Sequence, residues 1–157
     1  MDTPDDRPIF SVGPGSVFEE SQLLAIDHPA QAGTRHAKMI REALRDGTCW
    51  IAAQDEALLG YAIRGAFFDY HFLQLVYVAV AHRRQGVGDA LVEALERACH
   101  GDRLFASASA TNAAMRGLLA RRGYRASGEV HNVGPDGPEL IFMKPLGASA
   151  GLAGPPA

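Results

Sequence analysis

Cysteine is nearly absent from this chain. The two that occur, Cys49 and Cys99, fall in an apparent strand and an apparent helix on apolar faces, where a free thiol behaves as a small hydrophobe. A reducing cytoplasm is the natural compartment for them. Metal-ligand spacing is also lacking: the six histidines are dispersed and the cysteines are single, so no zinc or iron site is expected. Net charge is only −3, so nothing global points to nucleic acid or to a membrane surface as a partner. No apolar run approaches a membrane span, and the opening residues Met1-Asp2-Thr3-Pro4-Asp5-Asp6 are acidic and proline-bearing, unlike an export signal.

What the chain has is enough apolar material for one globular domain with a two-layer core: 47% of 157 residues. That domain is expected over 1–146. The tail at 147–157 cannot bury enough surface to order itself and should be mobile. Charge is divided unevenly, with eleven acids and six Lys/Arg in residues 1–70 against seven acids and nine Lys/Arg in residues 71–157. An anionic ligand in the second part and a cationic one near the first would suit this division, although charges this few are ordinarily solvated surface.

The elements alternate in type, which predicts mixed α/β layers around one core. Residues 9–12 read as a short edge strand. Residues 18–26 read as a helix with Phe18, Leu23, Leu24 and Ile26 on its apolar face, and a second helix runs from an N-cap at Thr34 to Arg45, closed by Asp46-Gly47. Strands at 48–54, 58–68 and 72–80 form an antiparallel meander. A helix over 86–99 turns Val87, Leu91, Ala94, Leu95 and Ala98 toward the sheet and Glu93, Glu96 and Arg97 to solvent. A strand at 104–109, a helix at 112–122 capped by Gly123, and a hairpin of 124–133 with 139–144 complete the chain.

The most informative stretch joins the third strand to the next helix through a basic, glycine-bearing turn, Arg83-Arg84-Gln85-Gly86-Val87-Gly88-Asp89. The first turn of a helix carries N–H groups without intrahelical partners and a partial positive charge, so an anion is held there by hydrogen bonds and dipole together. Glycines at 86 and 88 remove the Cβ atoms that would keep a diphosphate away. Arg83 and Arg84 add attraction and phosphate contacts at the rim. A dinucleotide fingerprint would need glycine where Leu91 stands, and a P-loop would need Gly-Lys-Ser/Thr. What remains is R-x-x-G-x-G. Alone it is equally a plain capped turn, or the anion site of an unrelated phosphate-binding fold.

Twenty-four residues after Gly88 comes Asn112, which opens a short segment closing with Gly123-Tyr124. Together the two segments resemble the signature of the GNAT N-acetyltransferase superfamily, over roughly residues 48–146. The resemblance implies a central, largely antiparallel sheet with a splayed parallel pair, flanked by helices, and acetyl-CoA (coenzyme A) as cosubstrate in the splay. It implies that the N–H groups of 84–89 hold the pyrophosphate, making Gln85, Gly86, Val87, Gly88 and Asp89 the coenzyme set beside Arg83 and Arg84. Backbone amides of Val78 and Val80 at the strand's end would pair with pantetheine. Asn112 either bonds the coenzyme arm or merely caps its helix. Arg121, Arg122 and Arg125 either grip adenosine phosphates or complement a helix C-terminus. Tyr124 is expected to pack with its phenol at the surface.

One position departs from the pattern. Relatives often carry tyrosine seven residues after the asparagine, where its hydroxyl can protonate the leaving thiolate; here stands Leu119, which has no proton to give. The base is unmarked too. His71 and Gln74 on the strand before the loop, and His131 on the closing hairpin, are the catalytic candidates, His71 because an unperturbed imidazole titrates at about 6.5. The implied function is N-acetyl transfer from acetyl-CoA to a small-molecule or protein amine by direct attack on the thioester. A non-catalytic acyl-CoA-binding or sensing module is the alternative, which Leu119 favours. The exposed edge of the last hairpin leaves a homodimer open.

Overall fold

The computed structural model describes residues 9–27 and 35–147. The expected N-cap at Thr34 and the tail from 148 onward lie outside them. In chain order the elements are β1 (Ser11–Pro14), a 3₁₀ turn (Val17–Glu19) running into α1 (Glu20–Ile26), α2 (Arg35–Asp46), β2 (Cys49–Gln54), β3 (Ala57–Phe67) and β4 (Tyr70–Val78). A second 3₁₀ turn (Val80–His82), α3 (Val87–Ala98), β5 (Arg103–Ser109), α4 (Ala113–Arg121), β6 (Arg125–Val130) and β7 (Glu139–Pro145) follow. The sheet has seven strands in the order β1-β2-β3-β4-β5-β7-β6. β4 and β5 are parallel, whereas β1–β2, β5–β7 and β6–β7 are antiparallel. This is the mixed α/β architecture that the alternating pattern predicts.

The described residues form two compact units, those up to Ala62 with Val76–Ala94, and Ile63–Leu75 with those from Leu95 onward. In the first, β1 pairs with β2 from Ser11↔Ala53 to Pro14↔Trp50. α1 and α2 are tied by Arg41 Nε donating to Glu20 Oε1 at 2.6 Å, and Gly47 closes α2 at φ +72°, a conformation glycine adopts without strain. Leu23, Ile40, Leu59, Tyr61, Val87 and Leu91 are fully buried. Val92 joins them, outside the face that the helical period assigned to α3. Phe18, expected in the same core as Leu23, is 91% exposed. It sits in the 3₁₀ turn before α1, where three residues per turn break the register of an α-helical stripe.

In the second unit, the β4–β5 ladder runs from His71↔Leu104 to Leu73↔Ala106, and β5 pairs with β7 from Arg103↔Pro145 to Ser109↔Glu139. The β3–β4 turn is built on Phe68 and Asp69, both at positive φ. Behind it Phe67 packs on Phe72 and Phe105, with centroids 5.6 and 5.3 Å away. β6 is exposed on both faces and carries a bulge between Ala126 and Gly128, a device that discourages further pairing at a sheet edge.

Two expectations fail in this unit. Glu96, placed by its period on the solvated face of α3, has a side chain only 9% exposed and collects three donors: Arg122 Nη2 at 2.8 Å, Lys144 Nζ at 3.0 Å and Tyr124 Oη at 3.0 Å. Tyr124 is buried, with its phenol turned inward to that carboxylate. The charges of α4's end and β7 converge on Glu96 because a carboxylate leaving water must be met by partners.

Candidate functional site

β4 ends at Val78, two residues before the expected limit, because Ala79 and the following 3₁₀ turn redirect the chain: Arg83 N–H donates to the Val80 carbonyl at 3.5 Å and His82 N–H to the Ala79 carbonyl at 2.8 Å. Val80 is therefore an exposed turn residue and not the strand position that the sequence predicts. The last strand peptide is held on the β3 side, where Ala79 N–H donates to the Leu59 carbonyl at 2.8 Å. Gly60 lets the two strands come this close: a Cβ there would stand 2.5 Å from the Tyr77 carbonyl oxygen and 3.1 Å from Val78 Cα.

From there the chain turns through Arg84 at φ +63° and Gly86 at φ +83° into α3. Left-handed residues alternating with ordinary ones are the backbone pattern in which successive N–H groups can meet an anion. The first intrahelical bond is from Ala90 N–H to the Gly86 carbonyl, at 3.1 Å. The amides of Val87, Gly88 and Asp89 precede it and have no carbonyl four residues back within the helix. Arg83, Arg84, Gln85 and Gly86 are exposed, Gly88 and Asp89 are half-buried, and Val87 anchors the turn in the core. Gly86 has no atom within 4 Å of where a Cβ would stand, so its requirement is conformational and not spatial.

Arg83 turns back onto the strand before the turn. Its Nε donates to the Val78 carbonyl at 2.9 Å and its guanidinium carbon lies 5.5 Å from the Tyr77 ring centroid. Tyr77 packs 6.0 Å from Tyr61, and the Tyr61 hydroxyl donates to Asp27 Oδ2, the oxygen that His36 Nδ1 also meets at 3.2 Å. Asp27 is fully buried with its other carboxylate oxygen unpartnered, and burial together with the Asp27 hydrogen bond and charge pushes the Tyr61 phenol far above its ordinary value. Sequence reasoning missed this cluster. Asp27 ends a helix, His36 lies near the start of the next and Tyr61 lies mid-strand, and no periodicity links them.

The catalytic candidates do not converge. His71 and Gln74 are three residues apart on one strand, so they point to opposite faces of it. Gln74 lies over Gly65, its Oε1 2.5 Å from where a Cβ would stand. His131 is exposed on the closing loop and pairs with Glu129 at 3.0 Å. Asn112 caps α4, with Oδ1 accepting from Met115 N–H at 3.1 Å. Leu119 is fully buried on the inner face of that helix. Arg122, one of the three arginines offered as an adenosine-phosphate grip, is committed to Glu96.

His71 is half-buried on β4, and desolvation, with the charges of Arg64 and His100, holds its imidazole below the usual histidine range. The unfolded chain binds that proton more tightly than the fold does. The stability His71 contributes is thus complete above the ordinary histidine range and is lost as pH falls through it. A proton-NMR titration of the His71 ring is expected to give a midpoint lower than that of a histidine in an unfolded peptide.

A sequence profile of the acetyltransferase (GNAT) family matches residues 19–124, and no curated protein matches the chain. Among solved structures, a GNAT-family acetyltransferase from Bacillus cereus superposes with a TM-score of 0.80 at 25% identity, over 88% of this chain and 98% of that one. Ribosomal-protein-alanine N-acetyltransferase from Brucella melitensis follows at 0.69 and 25%, over 87% and 99%. The protein yncA of Salmonella typhimurium, solved with its cofactor acetyl-CoA, shares the fold at 0.69 and 18%, over 88% and 95%. Fold and profile together define an acyltransferase. The chain belongs to the acetyltransferase (GNAT) family.

Proposed function

We propose that this protein transfers the acetyl group of acetyl-CoA to a primary amine by direct attack of the neutral nitrogen on the thioester. The observation that carries the reading is the backbone at 84–89, two left-handed residues leading into the first turn of α3. A diphosphate seated there would accept from the amides of Gln85, Gly86, Val87, Gly88 and Asp89, beside Arg84 at the rim. Binding of acetyl-CoA by the structurally similar yncA supports the choice of coenzyme. The Val78 amide at the strand's end would polarise the thioester carbonyl as charge develops on it. Holding thioester and amine in register supplies much of the rate, worth about 7–11 kcal/mol in well-aligned cases.

A peptide with a free N-terminal alanine heads the acceptor panel, because the Brucella relative is named for that substrate; small amines complete it. His71, half-buried with a depressed imidazole pKa, is the base we favour over Gln74 and His131. A homodimer is a separate proposal, tested by sedimentation.

A thiol-release assay with acetyl-CoA and that panel tests the reading: release dependent on one amine is the expected result. Buried Leu119 favours a second reading, an acyl-CoA-binding module without turnover. Tight acetyl-CoA binding with no thiol released by any amine would establish that second reading. Protection against heating by free phosphate as effective as that by CoA would remove both.

A further inference from the structure

We propose that Arg83 is a positioning residue that clamps the last peptide of β4, not a ligand of the coenzyme's phosphates; the proposal rests on the coenzyme reading above. Its guanidinium turns back onto the strand it has just left, donating from Nε to the Val78 carbonyl at 2.9 Å while its carbon lies 5.5 Å from the Tyr77 ring centroid. On the opposite side of the same peptide, Ala79 N–H donates to the Leu59 carbonyl at 2.8 Å. Both polar groups of the Val78–Ala79 peptide are therefore fixed.

Along a strand, the N–H and C=O of one residue point to one side and those of its neighbour to the other. Ala79 N–H faces β3, so the Val78 carbonyl and N–H face away from it. Arg83 occupies the carbonyl, and the group left to meet a thioester or pantetheine amide on that side is the Val78 N–H. The clamp selects which backbone group is offered.

The ring under Arg83 is itself fixed from behind. Tyr77 packs 6.0 Å from Tyr61, and the Tyr61 hydroxyl is held by Asp27, whose carboxylate is 0% exposed and also meets His36 Nδ1 at 3.2 Å. A carboxylate at that depth is costly to displace from its donors, which makes it a firm foot for the column Asp27–Tyr61–Tyr77–Arg83. Arginine suits the top of this column because one planar group donates a directed hydrogen bond and stacks on an aromatic face; a lysine ammonium carries the same charge without the fork.

Lysine therefore separates the two roles. Acetyl-CoA binding to Arg83→Lys, Arg83→Ala and Tyr77→Phe is measured by calorimetry at low and high salt, with ¹⁵N amide spectra of the ligand-free proteins. Arg83→Lys and Arg83→Ala are each expected to weaken binding by about tenfold. The salt dependence should keep its unmodified slope because no phosphate contact is lost. In ligand-free Arg83→Lys the Val78 and Ala79 amide resonances should move, while the protein unfolds as the unmodified one does. Tyr77→Phe keeps the ring and should change neither reading. Lysine binding as tightly as arginine, with Arg83→Ala weakened and its salt dependence flattened, would show a phosphate contact and overturn the proposal. If the unmodified protein binds no acetyl-CoA, the coenzyme reading falls instead. The clamp is then judged by the ligand-free amides alone, and unmoved resonances in Arg83→Lys overturn it.

Discussion

Replacing Glu96 by alanine is expected to lower stability by about 3 kcal/mol, near the low end of the range for breaking a buried ion pair, because its partners keep some contact with water. For a chain of this size that is a fall in thermal midpoint of about 10 °C, read by circular dichroism. Three donors meet at this carboxylate: Arg122 and Lys144, with side chains 21% and 24% exposed, and the Tyr124 hydroxyl. Removing it takes the shared carboxylate from two neighbouring cations and leaves a buried hydroxyl without this acceptor. Glu96→Gln keeps the shape and one acceptor oxygen, so it should lose less than alanine does. Equal stability of Glu96→Ala and the unmodified protein would mean that the three groups find partners elsewhere.

Two buried tyrosines are expected to weaken the fold at alkaline pH. Burial, the Glu96 charge and the Glu96 hydrogen bond push the Tyr124 phenol well above its ordinary value, and Tyr61 is raised in the same direction by burial and Asp27. A folded pKa above the unfolded one means that the stability contributed is complete below the ordinary tyrosine range and declines as pH rises beyond it. Ultraviolet titration is expected to show these two phenols ionising only with unfolding.

Gly60→Ala is expected to cost about 3 kcal/mol, at the upper end of what one added core methyl costs, because the new carbon would meet backbone instead of a yielding side chain. The Tyr77 carbonyl oxygen would be 2.5 Å away and Val78 Cα 3.1 Å away. Either β3 or the end of β4 must move, so on the proposed reading acetyl-CoA affinity should fall together with the thermal midpoint. Gly86→Ala is the contrast. No atom lies within 4 Å of its Cβ position, but φ is +83°, so its cost is conformational, about 1–2 kcal/mol. Calorimetry on both variants separates a strand pushed aside from a loop pulled out of shape. Undiminished acetyl-CoA affinity in Gly60→Ala would detach the end of β4 from coenzyme binding.

Much of the fold was legible in the chain because periodicity is a local property. The helix from Val87, the strand–turn–strand around Asp55 and the asparagine-capped, glycine-closed helix from Ala113 each announce themselves within a dozen residues, through burial pattern, capping and handedness. The Arg84–Gly88 turn was legible for the same reason, since glycines between an apolar strand and an amphipathic helix permit the left-handed backbone that a tight turn there needs. Side-chain partnerships were not legible. By helical period Glu96 belongs to the solvated face of α3, yet Arg122, Tyr124 and Lys144 cover it. Arg83 reads as a phosphate ligand because it is basic and beside glycines, and nothing local announces that its Nε meets the Val78 carbonyl.

The sequence by itself determined the order and type of the elements and the glycine-bearing turn before α3, because both follow from interactions among near neighbours in the chain. Tertiary structure alone decided where the charges end up: Asp27 against Tyr61 and His36, Glu96 among three donors, Arg83 on its own strand, and His71 and Gln74 on opposite faces. Such pairings join residues as many as 48 positions apart, as between Glu96 and Lys144. Their physical cause is the cost of taking a charge out of water, which is charged to whichever partner the packing brings near, and no stretch of neighbouring residues encodes that choice.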